Sequence, residues 1–136
     1  MNIRDFQKND INKGLLELYK ENWFITKIDE NTIEKFLNND NYLIIAEENN
    51  IIVGALTLHL QFKIIRDGGI VGFIEDVIVK EKFRGNKIGE KLVKTAIEKA
   101  RLKGCYKITL NCFDERVNFY ERCGFFRESN TMRYNV

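Results

Sequence analysis

Proline is absent from this chain, and histidine occurs once, as His59. A single histidine excludes a His-rich metal site and leaves a Ser-His-Asp triad without support. Set inside an apolar run, His59 reads as a structural strand residue. Cysteine is sparse and odd in number: Cys105, Cys112 and Cys123. No two of them stand at a close metal-ligand spacing, so the expectation is reduced thiols, a cytoplasmic location and no metal. No apolar run approaches the ~18 residues of a membrane span. The opening MNIRDFQKND lacks the apolar region of a signal peptide, so no membrane partner is expected. The net charge of +2 is too small to argue for nucleic acid by bulk electrostatics. There is no internal repeat and no low-complexity segment, and the Walker and G-x-G-x-x-G phosphate-loop spacings are missing.

What is present suits one domain spanning residues 1–136. The 44% hydrophobic and 31% charged content is an ordinary globular balance, and this length buries a proper core without staples. Ile3 to Phe6 reads as a short strand. Asp10 can cap a helix carrying Ile11, Leu15, Leu18 and Tyr19, and Asp29 a second with Ile33, Phe36 and Leu37 on one face. YLIIAE, an Asn49-Asn50 turn and IIVGALTLHLQF form a hairpin. RDGG, Arg66 to Gly69, is a turn before the strand IVGFIEDVIV. Lys87 to Lys103 reads as a helix with Ile88, Leu92, Ala96 and Ala100 in one stripe and Val93 and Ile97 beside it. Gly104 ends it. YKITLNC is a strand, ERVNFYERC a short helix capped by Gly124, and TMRYNV a last strand. The order gives a mixed α/β sandwich rather than a regular βαβ repeat.

IVGFIEDVIV is the most informative segment. Strict alternation puts Val71, Phe73, Val77 and Val79 on one face and Ile74 and Ile78 on the other. With both faces apolar, the strand is expected to be central and covered on both sides. Glu75 and Asp76 interrupt it, one to each face. An unpaired buried carboxylate costs several kcal/mol, so each needs a cation or an opening. An opening is favoured, because the strand runs directly into EKFRGNKIGEKL. That turn joins a strand end to a helix start, where free N–H groups and the helix dipole attract phosphate. Gly85 and Gly89 permit close backbone approach, and Arg84 and Lys87 add charge.

Two motifs together resemble the GNAT family of N-acetyltransferases. Arg84-Gly85-Asn86-Lys87-Ile88-Gly89 resembles that family's pyrophosphate loop, Q/R-x-x-G-x-G/A, with Lys87 in place of the middle glycine. NFYERCGF, Asn118 to Phe125, resembles its late F-Y-x-x-x-G-F motif. Within the family, GFIEDVIV, GCYKITLNC and NFYERCGF are most similar to members that acetylate glucosamine 6-phosphate. The likeness runs from about Phe62 to Phe126.

The resemblance implies the GNAT fold, a mixed and mostly antiparallel sheet flanked by helices on both faces and splayed at the Glu75-Asp76 strand. It implies acetyl-CoA as cosubstrate, held by Val77, Ile78, Val79, Arg84, Gly85, Asn86, Lys87, Ile88, Gly89, Glu90, Asn111, Arg116 and Tyr120. A backbone N–H after the acids would donate to the thioester carbonyl. Tyr120 would face the sulfur. Ordinary values of ~8.5 for a thiol and ~10 for tyrosine make proton transfer to thiolate uphill by only about 2 kcal/mol. Glu75 and Asp76 would contact the sugar or take the ammonium proton. Lys63, Arg66, Tyr106, Lys107 and Arg133 would bind a small-molecule amine bearing a phosphate. A homodimer that exchanges C-terminal strands is also implied. Two departures bear on the acceptor: Asn111 stands where an acid is usual, and Asn135 where a phosphate-gripping arginine is expected. Another primary amine is the alternative acceptor: an unphosphorylated amino sugar, a polyamine, a peptide N-terminus or a drug. A CoA-binding module without catalysis is the remaining reading, opposed by the presence of Tyr120 and both acids.

Overall fold

The computed structural model describes all residues 1–136. Strands β1 (Asn2–Asp5), β2 (Asn41–Glu48), β3 (Ile51–Phe62), β4 (Ile70–Val79) and β5 (Cys105–Leu110) form one sheet in the order β1-β2-β3-β4-β5. The first four run antiparallel, and β5 joins β4 in parallel. Helices α1 (Leu15–Lys20) and α2 (Glu30–Leu37) cover one face. Helix α3 (Ile88–Leu102) covers the other, with α4 (Val117–Arg122) beside it.

The core follows the apolar periods. Ile88, Leu92, Val93, Ala96 and Ala100 of α3 bury against Ile44, Leu56, Leu58 and Ile74. Leu15, Leu18 and Ile33 bury against Leu43, Ile45, Ala55 and Ile78. Asp29 caps α2, its carboxylate accepting from Thr32 N–H at 2.8 Å. Asp10 does not cap α1, which starts only after Gly14, in the left-handed region at φ 92. Its side chain is 1% exposed and takes the Arg4 guanidinium at 2.7 and 2.9 Å, Lys13 at 2.9 Å and the Gln7 N–H at 2.8 Å. Charge pairing therefore claimed this aspartate before helix capping could.

Strict alternation fails in β4. Thr57 lies opposite Glu75 and Ala55 opposite Ile78, so Leu56 alone faces both Asp76 and Val77. This is a β-bulge, with Asp76 in the left-handed region at φ 52. The extra residue exchanges the faces. Ile74 joins the α3 core with Val77 and Val79, and Ile78 joins the α1–α2 core. The segment TMRYNV forms no strand; residues 125–136 have no regular structure.

Candidate active site

Glu75 pairs across the sheet with Thr57, which lies opposite Leu43 on the α1–α2 face. Asp76, at the bulge, is close enough to act on Glu75 and on Tyr19 of α1. The two acids therefore share one neighbourhood rather than one face each. Dehydration against the sheet raises both carboxyls above their ordinary range, and the Asp76 charge raises Glu75 further while His59 opposes it. His59 itself faces Asn41, Nδ1 to Oδ1 3.0 Å. Burial, and then Asp76, push the Tyr19 hydroxyl upward as well. Neither acid has a cationic partner. A pair of carboxyls raised in this way and reachable from solvent is suited to accepting a proton.

The same bulge opens the sheet. β5 pairs with β4 only from Ile70 to Ile74. From Glu75 to Val79 the β5-facing edge of β4 is free, and an extended ligand chain can hydrogen-bond there as an added strand. Ile78 is buried, so only its backbone can serve such a ligand.

β4 then feeds the glycine turn. Lys87 occupies the position just before α3 with φ 60 and ψ 20, a left-handed conformation, and no side chain caps the helix. Lys87 thus keeps the backbone geometry of the glycine it replaces and leaves the first-turn N–H groups of α3 open to an anion. Gly85, at φ 85 with open space around it, fits a close ligand approach. Gly89 has a different reason: a Cβ there would meet the Phe119 ring at 3.3 Å, so it serves helix packing. Several predicted cofactor side chains are already engaged. Arg84 Nε donates to Val79 O at 3.1 Å, Asn86 Nδ2 to Phe83 O at 3.0 Å, and Glu90 pairs with Lys94 at 2.9 Å. Ile88 is core. A phosphate here would be held mainly by backbone, with Lys87 and Arg84 supplying field.

Tyr120 packs edge-on against Phe119 and Phe125, with centroids at 4.9 and 6.0 Å. It lines a cavity of about 1010 Å³ shared with Asn111, Cys112, Val117 and Cys123. Burial raises its hydroxyl above the ordinary value, nearby Cys112 adds to this, and Arg116 at the start of α4 opposes it. A weaker acid makes full transfer to a thiolate harder, which favours hydrogen-bond donation as its role. Asn111 lies just past β5, and its Oδ1 accepts the Thr131 hydroxyl at 2.8 Å.

The basic residues do not join this group. Lys63 and Arg66 sit at the β3–β4 tip, Tyr106 and Lys107 at the start of β5. Ile70 and Glu75 are five residue steps apart, roughly 17 Å of strand. Arg133, in the tail, donates to Asn135 Oδ1 at 2.7 Å.

The acetyltransferase (GNAT) family profile matches residues 9–125. The chain belongs to this family. It is 33% identical to glucosamine 6-phosphate N-acetyltransferase 1 of rice over 96% of this chain and 84% of that one. It is 37% identical to the fission-yeast glucosamine 6-phosphate N-acetyltransferase over 74% of this chain and 93% of the relative. The crystal structure of the Arabidopsis thaliana glucosamine-6-phosphate N-acetyltransferase superposes with a TM-score of 0.91 at 29% identity, covering 98% and 97% of the two chains.

Two contributors to the site of this N-acetyltransferase escape sequence reading. Tyr19 sits at helical spacing from Leu15, which marks only its face and not its approach to Asp76. Glu21, at the end of α1, accepts the Glu81 N–H at 3.0 Å and ties α1 to the turn before α3. No spacing links residues 60 apart in sequence.

Proposed function

We propose that the chain transfers acetyl from acetyl-CoA to the 2-amine of glucosamine 6-phosphate, feeding amino-sugar nucleotide synthesis. The observation that carries the acceptor is the rice relative bearing that substrate's name, aligned over 96% of this chain. The free β4 edge running into the uncapped α3 turn supports acetyl-CoA. Val77 to Val79 would pair with the pantetheine arm, and the 85–89 backbone would hold the pyrophosphate. Acetyl-CoA supplies an activated acetyl thioester. Glu75 and Asp76 take the ammonium proton, directly or through one water, so that the neutral amine can attack. Free N–H groups on the β4 edge polarise the thioester carbonyl. The Tyr120 hydroxyl donates a hydrogen bond to the departing sulfur.

The working unit in this reading is a homodimer. β5 ends the sheet with no outer neighbour, and the tail exposes Phe126, Met132, Tyr134 and Val136. The distance along β4 between the basic tip and the acids exceeds the length of one hexosamine phosphate. A second copy that takes up the tail on its β5 edge supplies the missing contacts, Arg133 among them.

The test is an acceptor panel with acetyl-CoA, following release of free thiol. Turnover is expected with glucosamine 6-phosphate; turnover of another amine without it overturns the acceptor. Sedimentation is expected to give twice the chain mass, and a monomer that turns over at full rate removes the dimer.

A further inference from the structure

His59 sits in a row that strand pairing builds across three strands. It lies directly opposite Asn41 of β2 and Phe73 of β4. The next row holds Leu43, Thr57 and Glu75. Its chain neighbours Leu58 and Leu60 bury in the α3 core. Alternation therefore turns the imidazole to the opposite face, the face of Thr57 and Glu75. The register is regular between the two rows, so Glu75 is the diagonal neighbour of His59. Diagonal neighbours stand roughly 7–8 Å apart, within reach of long side chains. No direct ion pair joins them, yet the imidazole charge reaches the carboxyl.

Asn41 decides which ring nitrogen can act. Its Nδ2 donates to Phe36 O, near the end of α2, at 3.0 Å. A carbonyl oxygen only accepts, so this contact fixes the amide and turns its Oδ1 to the ring. That Oδ1 stands 3.0 Å from His59 Nδ1, which must then be the donor. Nδ1 keeps its hydrogen in both charge states, and Nε2 is left to gain or lose the proton. The other groups that face the pair are few. Asp76 stands at the bulge, and α1 brings Tyr19. The inward side chains of α2 are Ile33, Phe36 and Leu37, none of them charged. β5 places Thr109 level with Phe73, and Lys107 level with Val71.

An amine attacks a thioester only as the neutral base, so Glu75 must stand ionised before it can take the ammonium proton. Dehydration and the Asp76 charge work against this, and the imidazolium works for it. We propose that His59 is a positioning residue for the transfer: held by Asn41 with Nδ1 as donor, it carries on Nε2 the proton whose charge keeps Glu75 ionised. This rests on Glu75 as proton acceptor in the function proposed above. The ammonium proton passes to Glu75 and then to solvent, and His59 itself touches no reacting atom.

The experiment compares full-length wild type, His59→Asn and His59→Lys. His59→Asn still offers Asn41 an N–H in the place of Nδ1 but removes the titrating nitrogen. His59→Lys keeps a cation at every pH used. In His59→Asn the acid limb of the kcat/KM profile for glucosamine 6-phosphate is expected to move up by about half a pH unit, about a threefold loss on that limb, the worth of one unit charge at ~8 Å in a watery setting. The sign follows from the lost cation: Glu75 then holds its proton to higher pH, and the loss shrinks as pH rises. His59→Lys is expected to bring the limb back. An unmoved limb in His59→Asn, an equal loss at every pH, or failure of His59→Lys to restore the limb overturns the proposal. Two readouts do not depend on turnover. The Glu75 carboxyl carbon resonance, identified by its absence in Glu75→Gln, is expected to titrate about half a pH unit higher in His59→Asn. His59 is the one histidine of the chain, so its ring nitrogen resonances are unambiguous. Nδ1 is expected to be the protonated nitrogen of the neutral ring. A shifted carboxyl without turnover of glucosamine 6-phosphate supports the pairing and removes only the acceptor. An unmoved carboxyl, or Nε2 protonated in the neutral ring, overturns it.

Discussion

Asp10, in the turn before α1, and Asp76, at the bulge within β4, both sit in irregular backbone, and their protonation is shifted in opposite directions. Asp10 is the more deeply buried, yet Arg4, the Gln7 N–H and Lys13 hold its carboxyl well below the usual range, the Arg4 hydrogen bond first and burial opposing. Asp76 reaches solvent, has no cation, and is raised by partial dehydration. Depth alone therefore does not decide the fate of a buried acid; partners do. The partnered aspartate stabilises the fold. The unpartnered one, with Glu75, sits at a net cost to the fold and is available for chemistry.

Removing Asp10 tests the stabilising side. Asp10→Asn leaves Arg4 and Lys13 without their shared counter-ion and is expected to lower unfolding stability by about 3 kcal/mol, read by denaturant melts. The sign follows from the lowered pKa: the contribution is present above the unfolded carboxylate value and is lost as pH falls through the folded one. The deficit should therefore be full at pH 7 and shrink in strong acid. A deficit that grows as pH falls would contradict the pairing.

Glu75→Gln and Asp76→Asn probe the other side. Each is expected to lower kcat/KM about a hundredfold without loss of melting temperature. A raised folded pKa contributes stability below the unfolded value, lost as pH rises through the folded one. Neutral amides should therefore melt slightly higher than wild type at pH 8. A large drop in melting temperature would show that the acids are structural after all.

Tyr120→Phe is smaller, about tenfold in kcat, the worth of one hydrogen bond at the leaving sulfur. Unchanged turnover would remove the donor role. Smallest is Lys87→Gly, which trades left-handed strain for chain entropy and should change stability by less than about 1 kcal/mol. Its KM for acetyl-CoA should hold. A large rise would mean that the Lys87 charge, rather than its backbone, binds the phosphates.

Much of the fold could be read along the chain, because periodicity and caps are local properties. The α3 stripe from Ile88 to Ala100, the Asp29 cap and the β2–β3 hairpin all stand where their spacing put them. The sequence also showed two acids inside an apolar strand and a phosphate-type turn directly after it. It could not show the bulge. One extra residue opposite Leu56 depends on cross-strand pairing, and it moves Ile74 and Ile78 to different cores and brings both carboxyls into one neighbourhood. The tail shows the same limit, since the pattern of TMRYNV suits a strand but a strand forms only where it is paired, and the tail pairs with no strand of this chain.

What the sequence by itself determined is the set of elements and the kind of chemistry, through residue types whose burial or spacing is hard to explain otherwise. Tertiary structure alone decided which glycine opens to a ligand and which makes room for a ring: Gly85 has open space beside it, whereas Gly89 faces the Phe119 ring. It also separated Arg66 from Glu75 by half of β4. Both are matters of distance between residues remote in sequence, fixed by strand pairing and side-chain packing rather than by any local preference of the chain.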